Sequence, residues 1–211
     1  MTTSTEDAIA VYREHYVDKG FERLDLFQRL AEGYGIESAL YPGSFVHITP
    51  SLVYPVTTYV ETDARAKAFF ADPAVYAFVN RHKAYDRDPQ ITFHAADYRS
   101  DFGELENRYD LLISQYAGFV SQPCKRYLKI GGLLLVNNSH GDASMASIDN
   151  DYALIAIANR IGGKYRLSER DLDAYFIPKA ALEVTREYLE ELGRGIGYTT
   201  SASSYIFKRV G

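Results

Sequence analysis

From Thr5 to Val17 the apolar residues Ile9, Tyr12, Tyr16 and Val17 recur at helical spacing, with Glu6 and Asp7 in the first turn, where carboxylates suit the helix dipole. Leu24, Phe27 and Leu30 repeat the pattern over Phe21–Leu30, and Gly33 and Gly35 mark its end. The pattern then changes period. Short apolar or β-branched runs predict strands at Ser38–Tyr41, Val56–Val60, Ile91–His94 and Asp110–Ser114. Between the second and third of these, Ala64–Phe70 and Ala74–His82 read as helix, with Asp63 as N-cap and Pro73 between them. Gln122–Leu128 predicts a short helix before "GGLLLVNN", a fifth strand whose unbroken apolar run implies burial on both faces.

Beyond that strand the pattern predicts Tyr152–Ala158 and Lys164–Leu167 as strands around the Ile161-Gly162-Gly163 turn. A short helix opens at Ser168–Asp171 with Asp171 in a capping box, and a long helix covers Pro178–Leu192. Ile196–Thr199 and Ser204–Lys208 predict a closing strand pair. Strands alternating with helices imply a doubly wound α/β fold. The expectation is a Rossmann-like, mostly parallel seven-stranded sheet with a C-terminal antiparallel strand pair. It forms a single domain over 1–211, with N-terminal helices over 1–35 and an elaboration over 142–178.

Composition narrows the function classes. The 211 residues, 46% hydrophobic and 24% charged, suit one soluble domain. A net charge of -5 argues against a nucleic-acid binder that relies on phosphate contacts. No apolar run approaches the roughly 18 residues of a membrane helix, and the first sixteen residues lack a secretory pattern. With one cysteine, Cys124, no intrachain disulfide can form. A cytoplasmic setting is the natural expectation. The chain carries 18 Tyr and 11 Phe but no Trp, a composition that suits core edges, pocket linings or a homodimer contact.

Certain residues then acquire meaning by position. "TYVETD" ends the second strand with Glu61, twenty positions after Tyr41. That is about the interval between a cofactor turn and a ribose-binding acid. "HAADY" ends the third strand with Asp97, and "YLKIGG" leads into the fifth. Together with the element order, these phrases resemble the class I S-adenosylmethionine-dependent methyltransferase family from about residue 20 onward, most specifically at "YLKIGGLLLVNN". The resemblance implies S-adenosylmethionine as cofactor and a small-molecule methyl acceptor. It also implies cofactor contacts from Tyr41, Gly43, Ser44, Glu61, Asp97 and Ser114. The chain departs from the family at the first turn, Tyr41-Pro42-Gly43-Ser44, which has one glycine and no acid, followed by the bulk of Phe45 and Val46.

Each of these residues has a plainer alternative: Glu61 and Asp97 also read as strand-ending turn residues, and Gly43-Ser44 as a structural tight turn. Beyond the fourth and fifth strands lie the candidates for chemistry. Tyr116 and Asn138 are placed to contact the acceptor, and His140 is the general-base candidate, with a solvated loop histidine as its alternative. His140 and Asp142 alone do not make a metal set. His47 either faces the cofactor turn or caps it. Cys124 beside Lys125 and Arg126 reads as an incidental thiol, and "GRGIG" at 193–197 reads as a helix end, not a dinucleotide loop.

Three functions are thus in play. They are methyl transfer from S-adenosylmethionine to a small molecule, a methyltransferase-like ligand-binding protein without catalysis, and, least supported, an NAD(P)-dependent oxidoreductase. Residues 142–178, with Tyr152, Tyr165, Tyr175 and Phe176, are expected to build either the acceptor side or an oligomer contact.

Overall fold

The β-branched and aromatic runs fold into strands, and helices before and between the first of them bury their apolar faces. A computed structural model describes residues 5–211, with side chains from Ala8 onward. Residues 1–4 of the expected N-terminal helical segment, and the Glu6 and Asp7 side chains, lie outside the described residues. Two compact units make up the chain, Met1–Phe102 and Gly103–Gly211.

In the first unit, α1 (Thr5–Tyr12) runs directly into a π-helical turn, Arg13–Val17, and α2 (Leu24–Tyr34) follows. Helix α2 buries Leu26, Phe27 and Leu30 and stops at Gly35, which takes the left-handed conformation. Strand β1 (Ser38–Pro42) is wholly buried, and a short helix α3 (Pro50–Val53) leads into β2 (Val56–Val60). Helices α4 (Ala64–Ala71) and α5 (Pro73–His82) begin at Asp63 and Asp72, whose carboxylates accept the Arg65 and Ala74 N–H groups. Strand β3 (Gln90–His94) completes a parallel array in the order β3-β2-β1. The registers place Pro42 opposite Val60, and Val60 opposite His94. The three strands therefore finish level.

In the second unit, β4 (Tyr109–Ser114) pairs in parallel with β5 (Leu128–Val136). Helix α6 (Asp142–Ser147), the hairpin β6 (Tyr152–Ile161) and β7 (Lys164–Ser168), α7 (Arg186–Leu192) and β8 (Ser204–Arg209) follow. The order is β4-β5-β8-β6-β7, with β8 antiparallel to both β5 and β6. Leu133 to Val136 are all buried, the double-sided burial expected of "GGLLLVNN". Residues 142–178 thus supply α6 and two bonded strands.

Several expectations are corrected. There are eight strands among the described residues, not seven. Pro178–Leu192 is helical only over Arg186–Leu192. Its first part runs beside residues 197–199, with Lys179 N–H on the Gly197 carbonyl at 3.0 Å and Thr199 N–H on Ile177 at 2.9 Å. Backbone groups used sideways in this way cannot enter a helix. The helix starts only where Thr185 Oγ1 accepts the Tyr188 N–H.

The same pairing explains why Ile196–Thr199 is not a strand: it forms one bridge, Pro178 with Tyr198. The closing pair is absent, and Ser204–Arg209 instead inserts between β5 and β6. Gln122–Leu128 holds only a 3₁₀ turn at Lys125–Tyr127, because Leu128 already belongs to β5. Asp171 sits at φ +53° with no side-chain cap, so the capping box does not form and Leu172–Ala174 is a single 3₁₀ turn.

In "GRGIG", Gly193 ends α7, its N–H on the Leu189 carbonyl at 2.9 Å, as expected of a helix C-cap. Gly195 has a separate role. A Cβ there would lie 2.0 Å from the Asn138 carbonyl oxygen. Gly195→Ala is expected to cost about 1–3 kcal/mol by forcing backbone apart, a fall of roughly 2–4 °C in Tm per kcal/mol. Gly197→Ala, whose Cβ would meet only the flexible Lys179 Cδ at 3.7 Å, is the control and is expected to leave Tm nearly unchanged in thermal denaturation.

Candidate functional site

Because β1, β2 and β3 finish level, the residues just past them form a row. Gly43 N–H bonds the Val60 carbonyl at 2.8 Å, and Glu61 N–H bonds the His94 carbonyl at 3.1 Å. Gly43, at φ +66°, turns the chain, and Phe45 follows at φ +48°, a conformation uncommon for a residue with a Cβ. Glu61 holds that conformation. Its Oε2 accepts the Phe45 N–H at 3.1 Å, while Oε1 accepts the N–H groups of Thr62 at 2.8 Å and Asp63 at 3.3 Å. The carboxylate stays partly exposed. The Phe45 ring carries the Arg65 guanidinium 4.8 Å from its centroid and meets the His15 ring edge-on at 5.2 Å.

Behind the turn the space is filled by aromatic side chains of the same unit. His47 is fully buried, its ring stacked 4.2 Å from Tyr16 with only 7° between planes. Nε2 lies 3.0 Å from the Glu22 carbonyl, which can only accept, so Nε2 carries the proton and Nδ1 accepts from the Tyr41 hydroxyl at 3.1 Å. Burial, assisted by the Arg23 guanidinium, drives the His47 pKa down to about 3, so the ring is neutral. Tyr16 also donates to the Ser44 carbonyl at 3.1 Å. Sequence left His47 open between facing the turn and capping it; it does neither, and braces the turn from inside.

The remaining cofactor candidates of this unit differ in availability. Tyr41 and Ser44 are buried, Ser44 Oγ donating to the Phe45 carbonyl at 3.3 Å. Asp97 lies at the surface, held two-pronged by Arg99 with Nη2–Oδ2 at 2.7 Å and receiving the Arg99 N–H at 2.9 Å. That contact keeps its carboxyl below the usual range. Asp63 is the N-cap of α4, as expected.

In the second unit the carboxyl ends of β4 and β5 carry a different arrangement. Ser114 donates its hydroxyl to Asp142, which is fully buried at the start of α6. Asp142 also receives the Ser121 hydroxyl at 2.5 Å and the N–H groups of Val120 at 3.2 Å and Ser121 at 3.0 Å. Four donors, one from the end of β4 and three from the segment after it, thus converge on one carboxylate. Burial still pushes its pKa up to about 6, with those donors offsetting part of the desolvation. Asn138 Oδ1 accepts the Ser144 N–H at 3.1 Å and hydroxyl at 2.9 Å, and Tyr198 donates to the Ser144 hydroxyl at 2.7 Å. Asn138 therefore fixes its loop. Ser114 is likewise engaged inward.

Tyr116 and His140 are the exposed members of the candidate set. Tyr116 projects at 59% exposure from a backbone at φ +64°, strain of the kind that gathers at ligand edges. His140 lies exposed on the loop after β5. It has no hydrogen bond to Asp142, whose oxygens are taken by their four donors. Among the described residues no three His, Cys, Asp or Glu side chains gather as a metal set. Cys124 is buried.

Sequence reasoning missed the Asp142 cage and the Tyr16–His47 brace. A lone aspartate in "NNSHGD" carries no mark of burial. The only trace of the brace is a histidine set among apolar residues in "FVHITP".

No family model matches the chain, and no curated protein does. Among solved structures, a Corynebacterium glutamicum protein aligns at 13% identity over 80% of this chain and 92% of its own, with a TM-score of 0.49. A methyltransferase from Geobacter sulfurreducens aligns at 12% identity over 79% and 89%, with a TM-score of 0.45. A candidate S-adenosylmethionine-dependent methyltransferase from Methanococcus maripaludis aligns at 14% identity over 70% and 73%, with a TM-score of 0.46. The functional reading therefore rests on the strand order within each unit and on the residues at the strand ends.

The Asp142 cage has a consequence for stability. With its folded pKa raised from 3.8 to about 6, the folded state holds more protons than the unfolded chain between those values. This group's contribution to stability is therefore greatest below pH 4 and declines as pH rises to 6. Carboxyl ¹³C titration is expected to give a midpoint near 6 for this residue. Asp142→Asn removes that slope from urea denaturation curves. It also sets an amide NH₂ against the donors of one of the two oxygens, costing about 1–3 kcal/mol at pH 7.

Proposed function

We propose that the chain binds S-adenosylmethionine and transfers its methyl group to a small molecule. The observation that carries the reading is the level row of Gly43 and Glu61 past β1 and β2, with Asp97 beyond β3. Open α/β sheets bind ligands at the carboxyl ends of their strands. The residues fit the adenosine end of such a cofactor. Glu61 keeps a partly exposed carboxylate whose position is fixed by three N–H groups, leaving further lone pairs for a vicinal diol. Asp97 offers a surface carboxylate for an amino group. The first turn fits less well, because Phe45 stands where bare backbone would allow close approach. No step is assigned to it.

The bound cofactor supplies a sulfonium methyl, which an acceptor nucleophile takes by in-line displacement. The chain's own part is to position the acceptor and to receive its proton. His140 is the exposed base for that proton, and Tyr116 the exposed side chain on which an acceptor rests. Asn138 and Ser114 act as positioning residues, since both side chains are engaged within the loops.

A second reading is favoured by one specific observation. The Glu61 carboxylate and the aromatic brace behind Ser44 already satisfy the first turn, as in a methyltransferase-like protein that binds a ligand without transferring a methyl group.

Isothermal calorimetry separates the readings. S-adenosylmethionine and S-adenosylhomocysteine are expected to bind in the micromolar range, and Glu61→Ala to weaken both at least tenfold. NAD is expected to give no heat. An absence of binding at millimolar ligand, or an unchanged affinity in Glu61→Ala, overturns the proposal. Binding without methyl transfer to any of a panel of hydroxyl, amine and thiol acceptors selects the second reading.

A further inference from the structure

The first unit contains a groove that the cofactor reading does not use. It is about 790 Å³ and lies between α1 with its π-turn and α5. Its floor is apolar: Ile9 and Ala10 on one side, and Pro73, Ala74, Ala77 and Phe78 on the other. The α5 contributions recur as adjacent pairs every four residues, the spacing that keeps one helical face toward the groove. The next pair in that series is Arg81 and His82, and from the facing segment comes Arg13, four residues after Ile9. Among the described residues the lining thus holds three basic side chains and no acidic one.

That charge runs against its surroundings. Residues 1–102 hold 15 acidic and 10 basic residues, a net charge of -5 before histidine. Several arginines of this unit have a fixed partner: Asp63 for Arg65, Glu37 for Arg87, Asp97 for Arg99 and the Phe21 carbonyl for Arg23. Arg13 and Arg81, like Arg29 outside the groove lining, have none among the described residues. The neighbouring carboxylate, Asp72, is spent on capping α5 through the Ala74 N–H at 2.9 Å. His82 donates Nδ1–H to the Phe78 carbonyl at 2.7 Å, which leaves its Nε2 free.

We propose that this groove is a binding site for a single-chain amphiphilic anion. The alkyl body would lie on Ile9, Ala77 and Phe78, and a carboxylate or phosphate head on Arg13 and Arg81. The volume falls in the range of small-molecule sites, which are mostly apolar with a few converging polar groups. Guanidinium is the side chain best suited to carboxylate and phosphate heads. The site is independent of the methyl-transfer reading, because Glu61, Asp97 and the first turn take no part in it.

The test is calorimetry on the full chain with laurate and dodecyl phosphate, both below their micelle concentrations, with dodecyltrimethylammonium as control. Saturable 1:1 binding of at least one anion, and none of the cation, is expected. The tighter of the two anions identifies the head group.

Arg13→Ala/Arg81→Ala is expected to weaken binding at least tenfold. Ala77→Trp, which fills the groove from an exposed position, is expected to abolish it, with an unfolding temperature within a few degrees of the parent showing that both variants are folded. S-adenosylhomocysteine affinity is expected to be unchanged in both. Equal binding of anion and cation, undiminished binding in the double variant, or no saturable binding overturns the proposal. Self-association that Ala77→Trp abolishes, with no amphiphile bound, assigns the groove to a second copy of the chain and likewise overturns it.

Discussion

A single carboxylate organises the carboxyl edge of the strands in the first unit. Glu61 gathers the N–H groups of Phe45, Thr62 and Asp63, three donors that the ends of β1 and β2 would otherwise leave unpaired. Its grip on Phe45 stabilises a positive φ that a phenylalanine would not adopt unaided. The same grip presents the Phe45 ring to Arg65, whose guanidinium is also bound by the cap residue of α4. Removing the carboxylate would loosen the turn, the ring and the start of the helix together. The residue proposed to hold a ribose is thus also the one that shapes the turn beside it.

The second unit solves a comparable problem with a buried acid. Asp142 gathers one donor from the end of β4 and three from the segment after it, and so fixes that segment to the start of α6. Asn138 holds the other side of the loop by capping Ser144. Between these fixed points Tyr116 and His140 are left outward. Rigid loops that expose a few side chains are the arrangement a positioning site requires.

Much of the fold was legible because burial leaves a period in the sequence. The strands read at 56–60 and 110–114, the helix capped by Asp63 and the doubly buried run after Gly132 all follow from patterns of two or 3.6 residues or from unbroken apolar stretches. Legibility failed where backbone partners decided the outcome. Residues 178–185 have helical propensity, yet Lys179 is paired with Gly197. Ser204–Arg209 reads as a strand, but nothing local says that its neighbours are β5 and β6. At the site, Glu61 and Asp97 were legible as strand-end acids. The inward engagement of Ser114, Asn138 and Tyr41 was not, since a polar residue at a strand end reads the same whether it faces a ligand or a neighbouring side chain.

The central claim is that the Glu61 row receives an adenosine while keeping its hold on the turn. A crystal structure of the chain with S-adenosylhomocysteine tests it most directly. The account predicts both ribose hydroxyls within about 2.6–3.2 Å of the Glu61 carboxylate, with the Phe45 N–H still bonded to Oε2. S-adenosylhomocysteine bound away from Glu61, or absent from crystals soaked at millimolar concentration, would contradict it.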